Sequence, residues 1–390
     1  MQPRTEVKFD EAHFNRIKRT IRNMAVSKRE SAKKNFTAFP IPDEVGIQLT
    51  NKCNLRCKTC FQWNEDGFFN DYSTDEKKED VPLMIVRKIL DETKTQKSNL
   101  YLWGGEPLSY GHWDGLIDLL GRDPRWTVLC TNGVAIKDKI ESILRISETL
   151  ALLISLDGFE AENDSIRGRG VFKKVEEAID TLLELKKEGR YKGEVSVNCV
   201  INEPMIGKLY DFALMMEKKR INTLYICFPW YLPQETSDRM DAFFNKNFSW
   251  LKNIEPGAAR SWHSYKFQID PLHHKALKED VRAIGAKQWN IRLRYQPALE
   301  LDEISDFLNG KEKTAQHRTK CGGLFNRMNV LPSGKVTVCK MYPEFEVGDL
   351  SLDTLSDIWN GEKMNGVRRI LNEGLMPVCS KCILLYLHGV

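Results

Sequence analysis

Three cysteines fall within eight residues in LTNKCNLRCKTCFQW, residues 49–63: Cys53, Cys57 and Cys60, spaced C-x3-C-x2-C. Soft thiolates packed this closely suit a metal. Structural zinc takes four ligands, and no histidine lies nearby to supply the fourth. An iron–sulfur cluster held by three thiolates keeps one iron open to an outside ligand, so the vacancy is where a substrate or cosubstrate binds. A second group, Cys321, Cys339, Cys379 and Cys382, lies in the last seventy residues. Four thiolates can saturate a [4Fe–4S] cluster, and a four-cysteine zinc ribbon fits the same spacing. The remaining three of the ten cysteines, Cys130, Cys199 and Cys227, stand singly in apolar runs and read as buried, inert thiols.

The elements around the first group set its position. VGIQLT (45–50), NLYLWG (99–104), WTVLCTN (126–132), LALLISLDG (150–158), EVSVNCVIN (194–202) and TLYICFP (223–229) read as six short strands. Helical patterns such as VPLMIVRKILDETK and VFKKVEEAIDTLLELKKEGR separate them, which specifies parallel βαβ units. Six units suit an open barrel or a doubly wound sheet, and spacing does not choose between the two. The cysteine loop follows the carboxyl end of the first strand, where α/β proteins bind ligands. After Pro229 the rhythm breaks into the helical stretches DRMDAFFNKNFSWLKNI and HHKALKEDVRAIGAKQ; IRLRYQPAL is a candidate seventh strand. NGKEKTAQHRTK (309–320) reads as a linker, RMNVLPSGKVTVC as a hairpin around a Pro-Ser-Gly turn, and LDTLSDIWNGEKMNGVRRILNEG as broken helix.

Composition bounds the rest. A chain of 390 residues, 42% hydrophobic and 29% charged, is long enough for two domains. No apolar run reaches the roughly 18–20 residues of a membrane helix, and the N-terminus lacks a secretory apolar segment, so a cytoplasmic location with reduced thiols is expected. The net charge is only +4, and residues 1–44, with ten Lys/Arg against six Asp/Glu, account for the excess. An amphipathic helix packed on the main body is the expected use of that segment, and no nucleic-acid or membrane partner follows.

The first cysteine group, together with LWGGEPL (102–108), SLDG (155–158) and DSIRGRGVFKKV (164–175), resembles the radical S-adenosylmethionine (SAM) superfamily, in its auxiliary-cluster subgroup. The resemblance implies a partial (β/α)6 TIM-type barrel with a small C-terminal twitch/SPASM-like α+β cluster domain. It implies two [4Fe–4S] clusters, one binding SAM and one auxiliary. Gly104 and Gly105 would let backbone carbonyls approach the methionyl ammonium, Glu106 would supply the opposite charge and Pro107 would stiffen the turn. Ser155 would lie near the ribose or carboxylate of SAM and Arg167 near its carboxylate, which a guanidinium suits. Asn132 and Asn198, at strand ends, could donate to the cosubstrate or serve turns. Many members carry an aromatic residue just before the third cysteine; here Thr59 stands there, with Phe61 on the other side of Cys60.

The second group, C-x17-C followed by C-x2-C, resembles the twitch form of the SPASM domain, with one auxiliary cluster. The expected domains are a basic helical extension (1–44), a radical SAM core (45–295), a linker (296–320) and the cluster domain (321–390). The expected reaction is reductive cleavage of SAM to a 5′-deoxyadenosyl radical that takes hydrogen from a substrate C–H bond, the auxiliary cluster accepting the electron left behind. A flavodoxin- or ferredoxin-like donor is the expected reductant. Fewer residues precede the first strand than a leader-binding module needs, so the expected substrate is a small polar molecule such as a sugar, aminocyclitol or nucleoside, with a ribosomal peptide or protein as the alternative. A non-catalytic zinc protein is a remote third reading. Glu235 and Asp238 are placed where a base could act but read more simply as solvated, and Trp230 and Tyr231 as pocket wall or core. No catalytic residue is assigned.

Overall fold

A computed structural model describes residues 2–7, 11–31, 38–251 and 260–389. Its strands, in chain order, are β1 (Arg4–Thr5), β2 (Glu44–Gln48), β3 (Asn99–Trp103), β4 (Thr127–Thr131), β5 (Leu150–Ser155), β6 (Glu194–Val200), β7 (Thr223–Cys227), β8 (Gln288–Trp289), β9 (Arg292–Gln296), β10 (Arg327–Val330), β11 (Lys335–Thr337) and β12 (Glu346–Asp349). Ten of them form one sheet in the order β12-β11-β10-β2-β3-β4-β5-β6-β7-β9. From β10 through β9 every neighbour is parallel. The six expected strands are β2 to β7, and the candidate seventh is β9. Consecutive parallel neighbours joined by helices curl into a barrel. The sheet ends at β9 and β12, so the barrel stays open.

Alternation along the strands sorts side chains into two sets. Leu100, Leu102, Leu129, Leu152, Ile154, Val195, Val197, Leu224 and Ile226 are buried in the shell between sheet and helices. Their neighbours Tyr101, Trp103, Cys130, Leu153, Ser155, Asn198, Val200 and Cys227 face the lumen. Helices such as Val171–Lys187 bury one stripe, here Val175, Ala178, Ile179 and Leu182, against that shell.

The C-terminal residues extend the same sheet. β10 pairs in parallel with β2, Arg327 opposite Glu44 and Val330 opposite Ile47. The buried Arg327 guanidinium meets the Glu44 carboxylate and lies 4.9 Å from the Tyr101 ring centroid. β10 and β11 form the expected hairpin; Gly334, at φ +83°, supplies the left-handed turn residue. The broken helix is two helices, Leu355–Asn360 and Glu362–Glu373, divided at Gly361.

Within 296–320, where a linker is expected, the helix Glu303–Leu308 buries Ile304, Phe307 and Leu308, and the Lys311 carbonyl accepts from Lys381 Nζ at 2.9 Å. This stretch packs against the last cysteine pair. The N-terminal helix Glu11–Ser31 docks through Arg19 and Asp43, 2.5 Å apart. Parts of the expected extension (32–37) and the end of DRMDAFFNKNFSWLKNI (252–254) lie outside the described residues. No described helix is long and apolar enough to cross a membrane.

Candidate metal centres and cofactor cavity

The loop after β2 carries Cys53, Cys57 and Cys60 onto the wall of a cavity of about 300 Å³ at the carboxyl end of the strands. The loop is tied down by backbone. Gly105 N–H donates to Thr50 O at 2.8 Å and Glu106 N–H to Lys52 O at 2.7 Å. A Cβ on Gly104 would sit 2.4 Å from Thr50 O, and one on Gly105 would sit 2.3 Å from Lys52 O. Glycine is therefore required by contact between two protein backbones, a reason that precedes any approach to a ligand.

Glu106 is buried and heavily used. Its Oε1 accepts from Thr131 Oγ1 (2.6 Å) and Leu108 N (2.9 Å), and Oε2 from Asn132 N (2.7 Å). Burial raises its pKa, against the pull of these donors. Four acceptor positions less three donors leaves one for a cation in the cavity it lines. Asn132 donates from Nδ2 to Asn54 Oδ1 (2.7 Å) and accepts at Oδ1 from Val134 N (3.0 Å), so its side chain braces the cysteine loop. Pro107 opens the 3-10 turn Pro107–Ser109 and is buried behind the cavity wall.

Arg167 stands between the loop and β5. Its Nε lies 2.8 Å from Asp157 Oδ2, both buried, in an ion pair bent out of hydrogen-bond alignment, and its Nη1 lies 3.8 Å from Cys57 Sγ. Burial acts to lower the Arg167 pKa, but Asp157 and Cys57 outweigh it and the guanidinium stays charged. Asp157, quoted within SLDG but given no role from sequence, orients the arginine. Ser155 and Asn198 also line the cavity, as expected, Asn198 Oδ1 accepting from Cys227 Sγ at 2.8 Å.

Several placements differ from the sequence expectation. Cys130 and Cys227 are on the cavity wall, Cys130 Sγ donating to Tyr101 Oη at 2.8 Å; only Cys199 is a core thiol on the helix side. The two-residue spacing of Cys130 and Asn132 on one strand was the available signal, since i and i+2 share a face. Phe61 stacks on Tyr265 with centroids 4.7 Å apart and planes at 13°. Trp230 lines the cavity, whereas Tyr231 packs beside Gly310. Glu235 pairs with Arg239 at 2.5 Å on an exposed helix and Asp238 accepts from Gln234, neither on the cavity wall. Lys340, unassigned from sequence, reaches the cavity over the Tyr101 and Trp103 rings at 4.2 and 4.8 Å, and burial lowers its pKa to about 8.

Cys321, Cys339, Cys379 and Cys382 converge on a second, smaller cavity among Leu324, Val338, Leu371, Met376 and Leu385. Burial raises every thiol in both groups: Cys57 to about 11, and Cys53 and Cys321 to about 12. Backbone N–H groups two and three residues downstream pull the other way: Gln62 and Trp63 at Cys60, Gly323 and Leu324 at Cys321, Met341 and Tyr342 at Cys339, Leu384 and Leu385 at Cys382. Donors of this kind stabilise ligating sulfurs and tune cluster potentials.

Four thiolates suit a [4Fe–4S] cluster or a zinc ion. A tetrahedral zinc with bonds of about 2.3 Å draws its sulfurs to about 3.8 Å apart. Among the described residues, the one trio with all ligand atoms within 4.8 Å of one another is Asp238, Asp241 and His263, whose atoms are engaged by Gln234, Trp262 and each other. No three cysteine sulfurs among the described residues lie that close together. On the first cavity's wall, the indole N–H groups of Trp103 and Trp230 have no acceptor among the described residues, which suits a bound molecule rich in oxygen and nitrogen acceptors.

Residues 47–213 match the family described as the Radical SAM superfamily, and residues 321–383 the family described as an iron-sulfur cluster-binding domain, SPASM. The chain is 21% identical over 326 residues to the antilisterial bacteriocin subtilosin biosynthesis protein AlbA of Bacillus subtilis, covering 83% of this chain and 60% of AlbA. It is 30% identical over 173 residues to the mycofactocin maturase MftC of Mycobacterium ulcerans, covering 44% of this chain and 43% of MftC. The chain thus spans less than two thirds of the length of either relative. The structure of Streptococcus suis SuiB bound to precursor peptide SuiA shares the fold, with a TM-score of 0.58 and 16% identity over 93% of this chain and 73% of that one.

Two outcomes follow from this geometry. Gly105→Ala should displace the Lys52 carbonyl, cost about 3 kcal/mol and lower iron content at the first group, read by denaturation midpoint and iron assay; unchanged values would contradict the backbone contact. The raised thiols set a pH dependence. Both folded and unfolded chains hold these protons below the ordinary thiol value near 9; above it the unfolded thiols ionise first, so the metal-free chain should lose stability as pH rises from 9 toward 11 and 12. Thermal melts of metal-free protein across that range check the slope, and a flat profile would contradict it.

Proposed function

Because this chain belongs to the radical SAM superfamily and carries a C-terminal SPASM domain, we propose that it is a radical SAM enzyme that modifies a peptide or protein. Its cofactors are SAM and two [4Fe–4S] clusters. In this reading Cys53, Cys57 and Cys60 hold the SAM-binding cluster, and Cys321, Cys339, Cys379 and Cys382 hold the auxiliary one. The bound cofactors supply a 5′-deoxyadenosyl radical able to remove hydrogen from an unactivated C–H bond.

The chain's own residues do the positioning. Gly104, Gly105 and Glu106 fix the cysteine loop against β3 and β4, so Cys53, Cys57 and Cys60, which would hold the cluster, stand on the lumen wall. Arg167, held by Asp157, presents a fixed cation beside Cys57 for a carboxylate, and Glu106 keeps one acceptor position for an ammonium. Ser155 and Asn198 offer polar contacts further along the wall.

A peptide substrate replaces the small polar molecule expected from the sequence. The observation that carries it is the company the chain keeps: a bacteriocin biosynthesis protein, a maturase and a fold neighbour bound to a precursor peptide. An oxidative outcome, with the auxiliary cluster taking the substrate's second electron, a flavodoxin- or ferredoxin-like reductant and a reducing compartment belong to the same proposal.

Purified without oxygen and reduced with SAM, the protein should release 5′-deoxyadenosine, and Cys57→Ala should abolish that release. Cys379→Ala should keep uncoupled release while product formation stops. Comparison of peptide and small-molecule fractions from cells with and without the protein should show the mass change among peptides; a change confined to small molecules would sink the peptide reading and leave the radical chemistry standing.

A further inference from the structure

The two cysteine groups are joined by a short run of aromatic rings. Phe61 follows Cys60 directly in the chain, and its ring stacks on Tyr265 at 4.7 Å and 13°. Tyr265 meets Tyr342 at 5.7 Å and 64°, and Tyr342 lies three residues after Cys339 on the wall of the second cavity. The Tyr265 hydroxyl donates to Met341 O at 3.0 Å, in the turn whose N–H groups face Cys339. Tyr265 is 3% exposed and Tyr342 2% exposed, and Phe61 is half-buried on the wall of the first cavity. Tyr265 also lines the first cavity. One residue therefore touches the loop of one cysteine group and the turn of the other.

We propose that Tyr265 is a positioning residue that couples the two cluster sites, holding their loops at a fixed separation and forming the ring contact through which an electron passes between them. The proposal rests on the assignment of the two cysteine groups as cluster ligands. One electron leaves a reduced cluster at Cys321, Cys339, Cys379 and Cys382, which is oxidised, and enters an oxidised cluster at Cys53, Cys57 and Cys60, which is reduced; no bond or proton changes hands. The phenol stays neutral, its proton held by the Met341 carbonyl, so Tyr265 serves as medium and not as a charge carrier. Lys340 also reaches from the Cys339 turn to the first cavity, but through a flexible aliphatic stem and not a packed ring.

The test uses full-length protein reconstituted without oxygen. Iron content and EPR spin counts first establish that wild type carries both clusters; a wild type with one cluster or none overturns the cysteine assignment and, with it, the proposal. With both loaded, photoreduction delivers one electron, and freeze-quench EPR with SAM present to mark the first cluster follows its equilibration. Tyr265→Phe, which keeps the ring, should equilibrate near the wild-type rate. Tyr265→Leu, which opens a void between Phe61 and Tyr342, should be slower by roughly an order of magnitude at equal cluster content. Equal rates in Tyr265→Leu and wild type overturn the proposal. If Tyr265→Leu loses a cluster, Phe61→Leu breaks the same stacked pair from the other side and carries the same two outcomes; loss of a cluster from both variants assigns the contact to folding alone and also overturns it.

Discussion

The structure depends on one tight contact: the backbone of Gly104 and Gly105 lying against the backbone of Thr50 to Lys52. No side chain fits between them, with the nearest carbonyls 2.4 and 2.3 Å from where a Cβ would stand. Two N–H···O bonds lock the pair. A loop of three cysteines at a strand end would otherwise have few restraints, since a loop's position is set by what it touches. Here the next strand's end grips it, and Glu106 passes the grip to β4 through Thr131 and Asn132. Asn132 closes the circuit by bonding Asn54 within the loop.

Electrostatics makes both cysteine sites expectant of metal. The thiols are buried enough that their protonated forms are favoured, yet N–H groups point at four of the sulfurs from two and three residues downstream. Such a pocket is costly for free thiolates and favourable for thiolates whose charge a metal core neutralises. Arg167 adds a cation beside Cys57 without leaving its own charge unpaired, because Asp157 is buried with it. A buried cation with one fixed partner keeps its position and still has donors to offer.

The shared sheet determines how the two centres are related. Were the C-terminal residues a separate body on a flexible linker, the distance between the cysteine groups would vary. Instead β10 adds to β2, Arg327 reaches Glu44, Glu344 accepts from both Ser261 N and Ser261 Oγ, and residues 303–308 pack where a linker was expected. Tyr265 works only in such a frame, because a stacked contact at 4.7 Å has no tolerance for domain motion.

The sequence by itself determined the chemistry and the order of the elements. C-x3-C-x2-C, GGEP and the four later cysteines are local spacings, and β2 to β7 are local apolar runs, so each was legible without knowing what lay beside it. The hairpin at Gly334 and the break at Gly361 were legible for the same reason. What it could not settle were matters of which face and which neighbour. Cys130 and Cys227 looked like core thiols until the barrel's curvature put their faces inward. Glu106 and Asn132 looked like ligand contacts, and the structure spends most of their hydrogen bonds on the cysteine loop and strand ends. Tyr265 carried no signal at all, because its partners stand about two hundred residues before it and about seventy-five after it in the chain. Spacing along a chain fixes what a loop can bind; only the packing of distant strands fixes what it faces.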